Sequence, residues 1–275
     1  MRIVVLCSDL GVRVPGTKGA SIHLDAISRA FVGLGNEVLL VGVAGHGAPP
    51  TGMRPVLLPH PGRSQGLRRE LRKLAFCRRL TARAVEVVRE FQPDVIYERL
   101  SLFGTAGLRL AATTGALHAL EINALLSEEE SDWRSLRLGR LARRRESTVL
   151  GRADLRLAVS DELAGRVAAR CGRSVDVVPN GVDRQLFEHL PNRDSARQSL
   201  GLPLDVPIVG FSGSLRPWHG LDVALDAVAR LEGVHLAIAG DGDIRPELAA
   251  RAERIGVADR TIWLGQLPHA SMPAF

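Results

Sequence analysis

The sequence predicts an α/β protein made of two doubly wound, parallel-sheet domains in tandem, the second of them incomplete. Three observations carry this. Short apolar runs alternate with longer helical patterns from end to end. The runs lack the period-2 alternation of a half-exposed strand, as expected when helices cover both faces of a parallel sheet. Near residues 185–205 the pattern lapses into Pro191, Asn192, Asp194, Gly201 and Pro203, a linker composition, and then resumes. The expected domains are residues 1–190 and 205–275.

In the first block, the β-branched and leucine-rich runs Ile3–Cys7, Glu37–Val43, Asp94–Tyr97, Leu117–Ile122, Leu155–Val159 and Val175–Val178 read as strands. Between them, Ser21–Leu34, Gly66–Phe91, Phe103–Thr114, Trp133–Leu150 and Asp161–Arg170 read as helices. The second block reads strand 207–212, helix 220–231, strand 234–239, helix 246–255 and strand 261–264. Its first helix puts Leu221, Ala224, Leu225 and Val228 on one face. Two such units suggest a ligand cleft between them.

The 275 residues carry a net charge of +6 and are 45% hydrophobic, enough for two cores. Cys7, Cys77 and Cys171 show no metal-ligand spacing and read as reduced cytosolic thiols. Met1-Arg2 leads straight into a strand, and no apolar run approaches the ~20 residues of a spanning helix, so a cytoplasmic setting is expected. Aromatics make up only 4%, which argues against stacking on single-stranded nucleic acid. No nucleic-acid partner is expected.

The most telling local feature is Phe211-Ser212-Gly213-Ser214-Leu215-Arg216-Pro217-Trp218-His219-Gly220. A strand runs into a small-residue loop with one arginine and one histidine, and a helix then opens. Free N–H groups and the dipole at that helix start favour an anion. In the first block, Gly16 and Gly19 flank Lys18 in a loop before the first helix, free to bend close to a ligand. This is not G-x-G-x-x-G, and no acidic residue ends the second strand, so a dinucleotide oxidoreductase is rejected.

Four motifs in order are similar to those of family 4 glycosyltransferases, the retaining GT-B enzymes. They are Lys18-Gly19-Ala20-Ser21-Ile22-His23, Val177-Val178-Pro179-Asn180-Gly181-Val182-Asp183, Gly213 to Gly220, and Ala239-Gly240-Asp241-Gly242. Tyr97-Glu98-Arg99-Leu100-Ser101-Leu102-Phe103-Gly104 and Leu120-Glu121-Ile122-Asn123-Ala124 resemble a subgroup of these. The resemblance implies transfer of a sugar, with retention, from a UDP- or GDP-sugar to a glycan, a lipid-linked acceptor or a small molecule. No metal cofactor is implied. It places Glu121 and Asn123 as catalytic-site residues beside the donor sugar and acceptor. It makes Gly16, Lys18, Gly19, Ser214, Arg216, His219, Asp241 and Gly242 donor-binding candidates.

Two departures stand out. Ser214 and His219 occupy places where the family has an arginine and a lysine on the diphosphate, leaving Arg216 as the nearby cation. The family's later glutamate pair would lie beyond Phe275. A second domain lacking its carboxyl part is therefore expected, with Leu221, Val223, Leu225, Val228, Leu236, Ile238, Ile262 and Leu264 partly uncovered. Residues 206–275 would be loosely packed and transfer low or absent. The rival readings are a non-catalytic relic or binding module, and a GT-B nucleotide-sugar epimerase.

Glu128-Glu129-Glu130 reads as a solvated helix start, and Asn180-Gly181 with Asp183 as a turn near the crossover between domains. Arg68, Arg69, Arg72, Lys73, Arg78 and Arg79, then Arg134, Arg137, Arg140, Arg143, Arg144 and Arg145, form basic amphipathic segments with Leu67, Leu71, Leu74, Leu136, Leu138 and Leu141. Such segments suit peripheral contact with an anionic membrane at its inner face.

Overall fold

The computed structural model describes the backbone of residues 1–275 and every side chain except those of residues 132–134. The side chain of Arg134, part of the second basic run, lies outside the described residues. The chain divides into two compact units, Met1–Gly181 and Val182–Phe275.

The first unit contains strands β1 (Arg2–Cys7), β2 (Arg13–Val14), β3 (Glu37–Ala44), β4 (Arg54–Leu58), β5 (Val95–Arg99), β6 (Leu117–Ile122), β7 (Leu155–Ala158) and β8 (Asp176–Val177). Its helices are α1 (Gly19–Gly33), α2 (Gly66–Phe91), α3 (Ala106–Thr114), α4 (Leu126–Arg134), α5 (Gly139–Arg152) and α6 (Asp161–Cys171). The strands form one parallel sheet in the order β2-β3-β1-β5-β6-β7-β8, with β4 paired to β3. Successive residues of β1 feed opposite faces. Val4 and Leu6 pack with Phe76, Leu80 and Leu110 from α2 and α3. Ile3, Val5 and Cys7 pack with Leu24 of α1, Tyr97 and Ala119. Each such buried side chain is worth about 1.5–3 kcal/mol, which explains why the runs carry no polar alternation.

Four features of the first unit differ from the sequence expectation. The short strand β2 and the strand β4 are both added beside β3; β4 pairs with β3 alone, and Pro55 is tolerated on that edge because it withholds a donor from an unpaired side. The helix expected at Phe103–Thr114 starts later, at Ala106, after Phe103 takes a φ of 65°. The single helix expected at Trp133–Leu150 is two, α4 and α5, separated at Ser135 with a φ of 51°. The break is held by Glu70 of α2, which is fully buried. Its carboxylate accepts from the backbone N–H of Arg137 at 3.0 Å and of Leu138 at 2.7 Å, capping the entry to α5 from another helix.

Glu130 corrects the solvated-start reading. It is buried and accepts from Arg69 at 2.8 Å and Lys73 at 3.0 Å. Arg69 and Lys73 are thereby withdrawn from the cationic face of α2, since buried charges persist only when paired. Leu67 and Leu71 stay on its exposed face, 41% and 51% accessible.

All three cysteines are free thiols. Burial pushes the Cys7 thiol up to about 12 and Cys77 to about 11, against thiolate formation. In the folded chain at pH 8, iodoacetamide is expected to modify Cys171 well before either of the others, read by peptide mass spectrometry. Prompt labelling of Cys7 would show that the first unit opens on that timescale.

The second unit contains β9 (Ile208–Ser212), β10 (His235–Ala239) and β11 (Thr261–Gly265), parallel in the order β11-β10-β9. Helices α9 (Leu221–Ala229) and α10 (Arg245–Arg254) connect them. The expected linker instead contains α7 (Arg184–Phe187) and α8 (Arg193–Ser199). Asp183 caps the first through the N–H groups of Gln185 and Leu186, and Asn192 caps the second through that of Ser195. The polar residues that look like linker are helix starts.

Leu221, Leu225, Val228, Leu236 and Ile238 join Leu215, Leu248, Ala252 and Val257 in a core of their own. The expectation that those five would be uncovered is corrected, because α9 and α10 close one face of the sheet. Val223 remains 66% exposed, and Ile262 and Leu264 are half-buried. The Phe275 ring packs against the backbone of Gly210, and Ser212 donates to the Met272 sulfur at 3.4 Å. Among the described residues, no helix of either unit is long and apolar enough to cross a membrane.

Candidate active site

In the first unit, the carboxyl edge of the sheet carries a buried carboxylate with four donors. The register pairs Arg99 with Glu121 and Tyr97 with Ala119, so Tyr97, Arg99 and Glu121 share the face covered by α1. Glu121 Oε2 accepts from His23 Nε2 at 2.8 Å and from the Tyr97 hydroxyl at 2.5 Å. Oε1 accepts from Arg99 Nη1 at 2.5 Å and from the Asn123 amide nitrogen. Glu121 is 3% exposed. Burial alone would raise its pKa, but the bonds from His23 and Tyr97 and the charge of Arg99 outweigh it and hold the carboxyl down at about 2. Tyr97 moves the other way: burial first, then the Glu121 charge, lifts its phenol well above the usual range. The sequence reading let Glu121 accept from an acceptor alcohol, yet here both oxygens are committed within the protein. A carboxylate with so low a pKa is a weak base near neutrality.

Beside Asn123 lies a pocket of about 340 Å³ between the carboxyl ends of β6 and β7. Asn123, Glu128 and Glu129 line one side, and Ser160, Glu162 and Arg166 the other. Glu128 accepts from Arg166 at 2.6 Å and Arg170 at 3.1 Å. Ser160 accepts from the Leu163 N–H as the cap of α6.

Gly16 and Lys18 stand exposed between β2 and α1, and Gly19, also exposed, opens α1. A Cβ at Gly16 would strike the Arg13 carbonyl and Ser21, so glycine is required there, while Gly19 has open space around it. Lys18 is the residue before the first turn of α1.

In the second unit, the five donor-binding candidates come together on two stitched loops. Gly213 N–H donates to the Ala239 carbonyl at 2.9 Å, and Leu215 N–H to that of Asp241 at 3.1 Å. A Cβ on Gly240 would collide with the Gly213 carbonyl, and one on Gly242 with that of Leu215. Arg216 Nη1 donates to Asp243 at 3.1 Å, a carboxylate 90% exposed, so the pair is solvent-screened and readily exchanged. The His219 Nδ1–H donates to the Ser214 carbonyl at 2.6 Å, which binds the ring back onto the loop. The short turn Pro217–His219 ends in Gly220, with a φ of 67°, and α9 starts there.

Sequence reasoning found Glu121 and Asn123 as strand-end polar residues but missed His23, Tyr97 and Arg99. Alternation along Val95–Arg99 would have put Tyr97 and Arg99 on one face; only the packing of α1 brings His23 to them. Among the described residues, no group of three or more His, Cys, Asp or Glu is arranged to hold a metal.

The family model for Glycosyltransferase Family 4 matches residues 17–186, and that for Glycosyl transferases group 1 matches residues 192–275. The chain belongs to glycosyltransferase family 4. Curated relatives of this family-4 chain include the D-inositol 3-phosphate glycosyltransferases of Mycobacterium bovis and Mycobacterium tuberculosis. Each is 33% identical over 135 residues, covering 46% of this chain and 28% of theirs. Among solved structures, sucrose-phosphate synthase from Thermosynechococcus elongatus aligns over 100% of this chain and 73% of its own, with a TM-score of 0.82 and 17% identity. Anabaena HepE in complex with UDP-glucose aligns over 100% and 71%, with a TM-score of 0.70 and 21% identity. These likenesses establish the GT-B fold class of parallel, Rossmann-like sheets.

Proposed function

We propose that this family-4 chain serves the transfer of a sugar, with retention, from a nucleoside diphosphate donor (a UDP- or GDP-sugar) to a hydroxyl of a glycan, glycolipid or small acceptor. The observation that carries the reading is the match of both units to glycosyltransferase models, with the loop Gly213–His219 and the helix start of α9 falling inside the second match. Arg216 and that helix start supply the positive potential a leaving diphosphate needs, so the reading calls for no metal. Gly16, Lys18 and Gly19 line the approach on the first unit, with Asn123 at the sugar. Asp241 and Gly242 hold the second loop where the nucleotide would rest. The reading places the work in the cytoplasm.

The test is nucleotide binding. Among the described residues Arg216 is held only by an exposed aspartate, so a diphosphate can take it over. Arg216→Ala is expected to weaken UDP or GDP binding by about 1.5–3 kcal/mol, the range for hydrogen bonds to charged groups. His219→Ala should cost less, since one ring nitrogen is already spent on Ser214. Calorimetry giving unchanged affinity in a folded Arg216 variant would remove it from the site.

A membrane-side setting is favoured by one specific feature: exposed Leu67 and Leu71, one turn apart on α2, stand among Arg68, Arg78 and Arg79. The chain is expected to sediment with anionic vesicles at low salt and to leave them as salt rises, exposed charges being screened over ~10 Å at 0.1 M. Equal partition onto neutral vesicles would refute the electrostatic attraction.

A further inference from the structure

We propose that the pocket beside Asn123 takes a hydroxyl-bearing, non-phosphorylated part of the acceptor, and that Glu121 is the positioning residue that prepares it for that chemistry. The inference rests on the glycosyl-transfer reading and gives its acceptor a chemical class.

It starts from what a carboxylate can do. Ionised Glu121 only accepts hydrogen bonds, so the Asn123 group facing it must be the NH2 end of the amide. The Asn123 Oδ1 is thereby turned away from Glu121, and it has no partner among the described residues. Asn123 itself lines the pocket. Freed from Glu121, a terminal amide can present either end to a ligand at little cost. Held by it, the amide offers an acceptor. His23, Tyr97 and Arg99 matter because they keep Glu121 ionised and immobile, with its remaining lone pairs filled.

The rest of the lining points the same way. Glu128, Glu129 and Glu162 offer only acceptor atoms when ionised, and among the described lining residues they outnumber the one arginine, Arg166, which is paired with Glu128. Hydroxyl groups donate to such a wall. A phosphate, anionic and rich in acceptors, would meet a lining on which three carboxylates stand against one arginine. The curated relatives are named for a phosphorylated inositol, so the expected preference of this chain is opposite to the one their names state.

The experiment is a titration of the 275-residue chain with myo-inositol and with its 3-phosphate, followed by NMR at the backbone amides of Ala124 and Ser160. Myo-inositol is expected to shift these resonances at concentrations several-fold below those its phosphate requires. Asn123→Ala should weaken myo-inositol by about threefold to tenfold, the worth of one or two hydrogen bonds. Glu121→Gln can turn its own amide, lets that of Asn123 flip, and should narrow the preference between the two ligands. The preference ratio is a readout that simple destabilisation would not move, and unchanged β5 and β6 amide shifts would certify the fold. Tighter binding of the phosphate, an unchanged ratio in Glu121→Gln, or no shift with either compound overturns the proposal. Nucleotide binding by the second unit is measured separately, so failure of the acceptor assignment and failure of the transfer reading are told apart.

Discussion

Replacing His118 with alanine is expected to destabilise the first unit by about 3–5 kcal/mol, the combined cost of a core cavity and of a buried carboxyl left without its main partner. His118 Nε2 and Glu98 Oε2 lie 2.9 Å apart, each side chain 1% exposed, on the face of β5 and β6 that α3 covers. Glu98 Oε1 also accepts from the Gly107 N–H at 3.3 Å, which ties the first turn of α3 to the sheet. The glycine is required: a Cβ there would run into both Glu98 and His118. Deleting the imidazole leaves the Glu98 carboxyl with that one long bond and opens a cavity in a close-packed layer. Gly107→Ala attacks the same cluster from the other side by overpacking, for about 1–3 kcal/mol or more. Hydrogen exchange at the β5 and β6 amides of the whole chain reads the first unit separately from the second. Exchange in His118→Ala as slow as in the parent protein would show that the pair contributes nothing net.

That cluster marks the limit of what the sequence discloses. The parallel sheet was legible because strands buried on both faces have to be apolar throughout, as Ile3–Cys7 and Val38–Val41 are. The long helix Gly66–Phe91 was legible from its leucines and arginines at helical spacing. What escaped was decided by partners distant in the chain. Glu70 dictates where α5 begins, and Glu130 draws Lys73 inside. The polar run before residue 205 looks like linker until Asp183 and Asn192 are seen capping helices. At the candidate site, Glu121 and Asn123 were readable from their place at a strand end. Their roles were not, because the group that decides whether Glu121 is free lies on α1, almost a hundred residues earlier in the chain.

Between neutral pH and about pH 4.5, Glu121 is expected to give its full contribution to folding, and to lose it as the pH falls on toward 2. The sign follows from the direction of its shift. The carboxyl is held at about 2 in the folded chain against an ordinary 4.5, so the folded state prefers the ionised form more strongly than the unfolded chain does. Stability is then complete above the unfolded value and disappears as the folded form protonates. A displacement of roughly two and a half pKa units corresponds to about 3 kcal/mol at neutrality. Burial opposes that gain, so the stabilisation comes from His23, Tyr97, Arg99 and Asn123 and should vanish without the charge they converge on. Glu121→Gln, neutral at every pH, is therefore expected to be less stable than the parent by about 3 kcal/mol at pH 7 and nearly equal to it at pH 2. Glu121→Ala should do worse at neutral pH, because Arg99 would remain as a part-buried cation with no counter-charge at the sheet edge. The measurement is exchange at β5 and β6 across that pH range in the parent and the glutamine variant. Taking the difference between the two proteins removes the titration of the exposed acids, which is common to both. A difference that stays constant from pH 7 to pH 2 would mean that Glu121 titrates as an ordinary carboxylate and is not the centre on which this site is built.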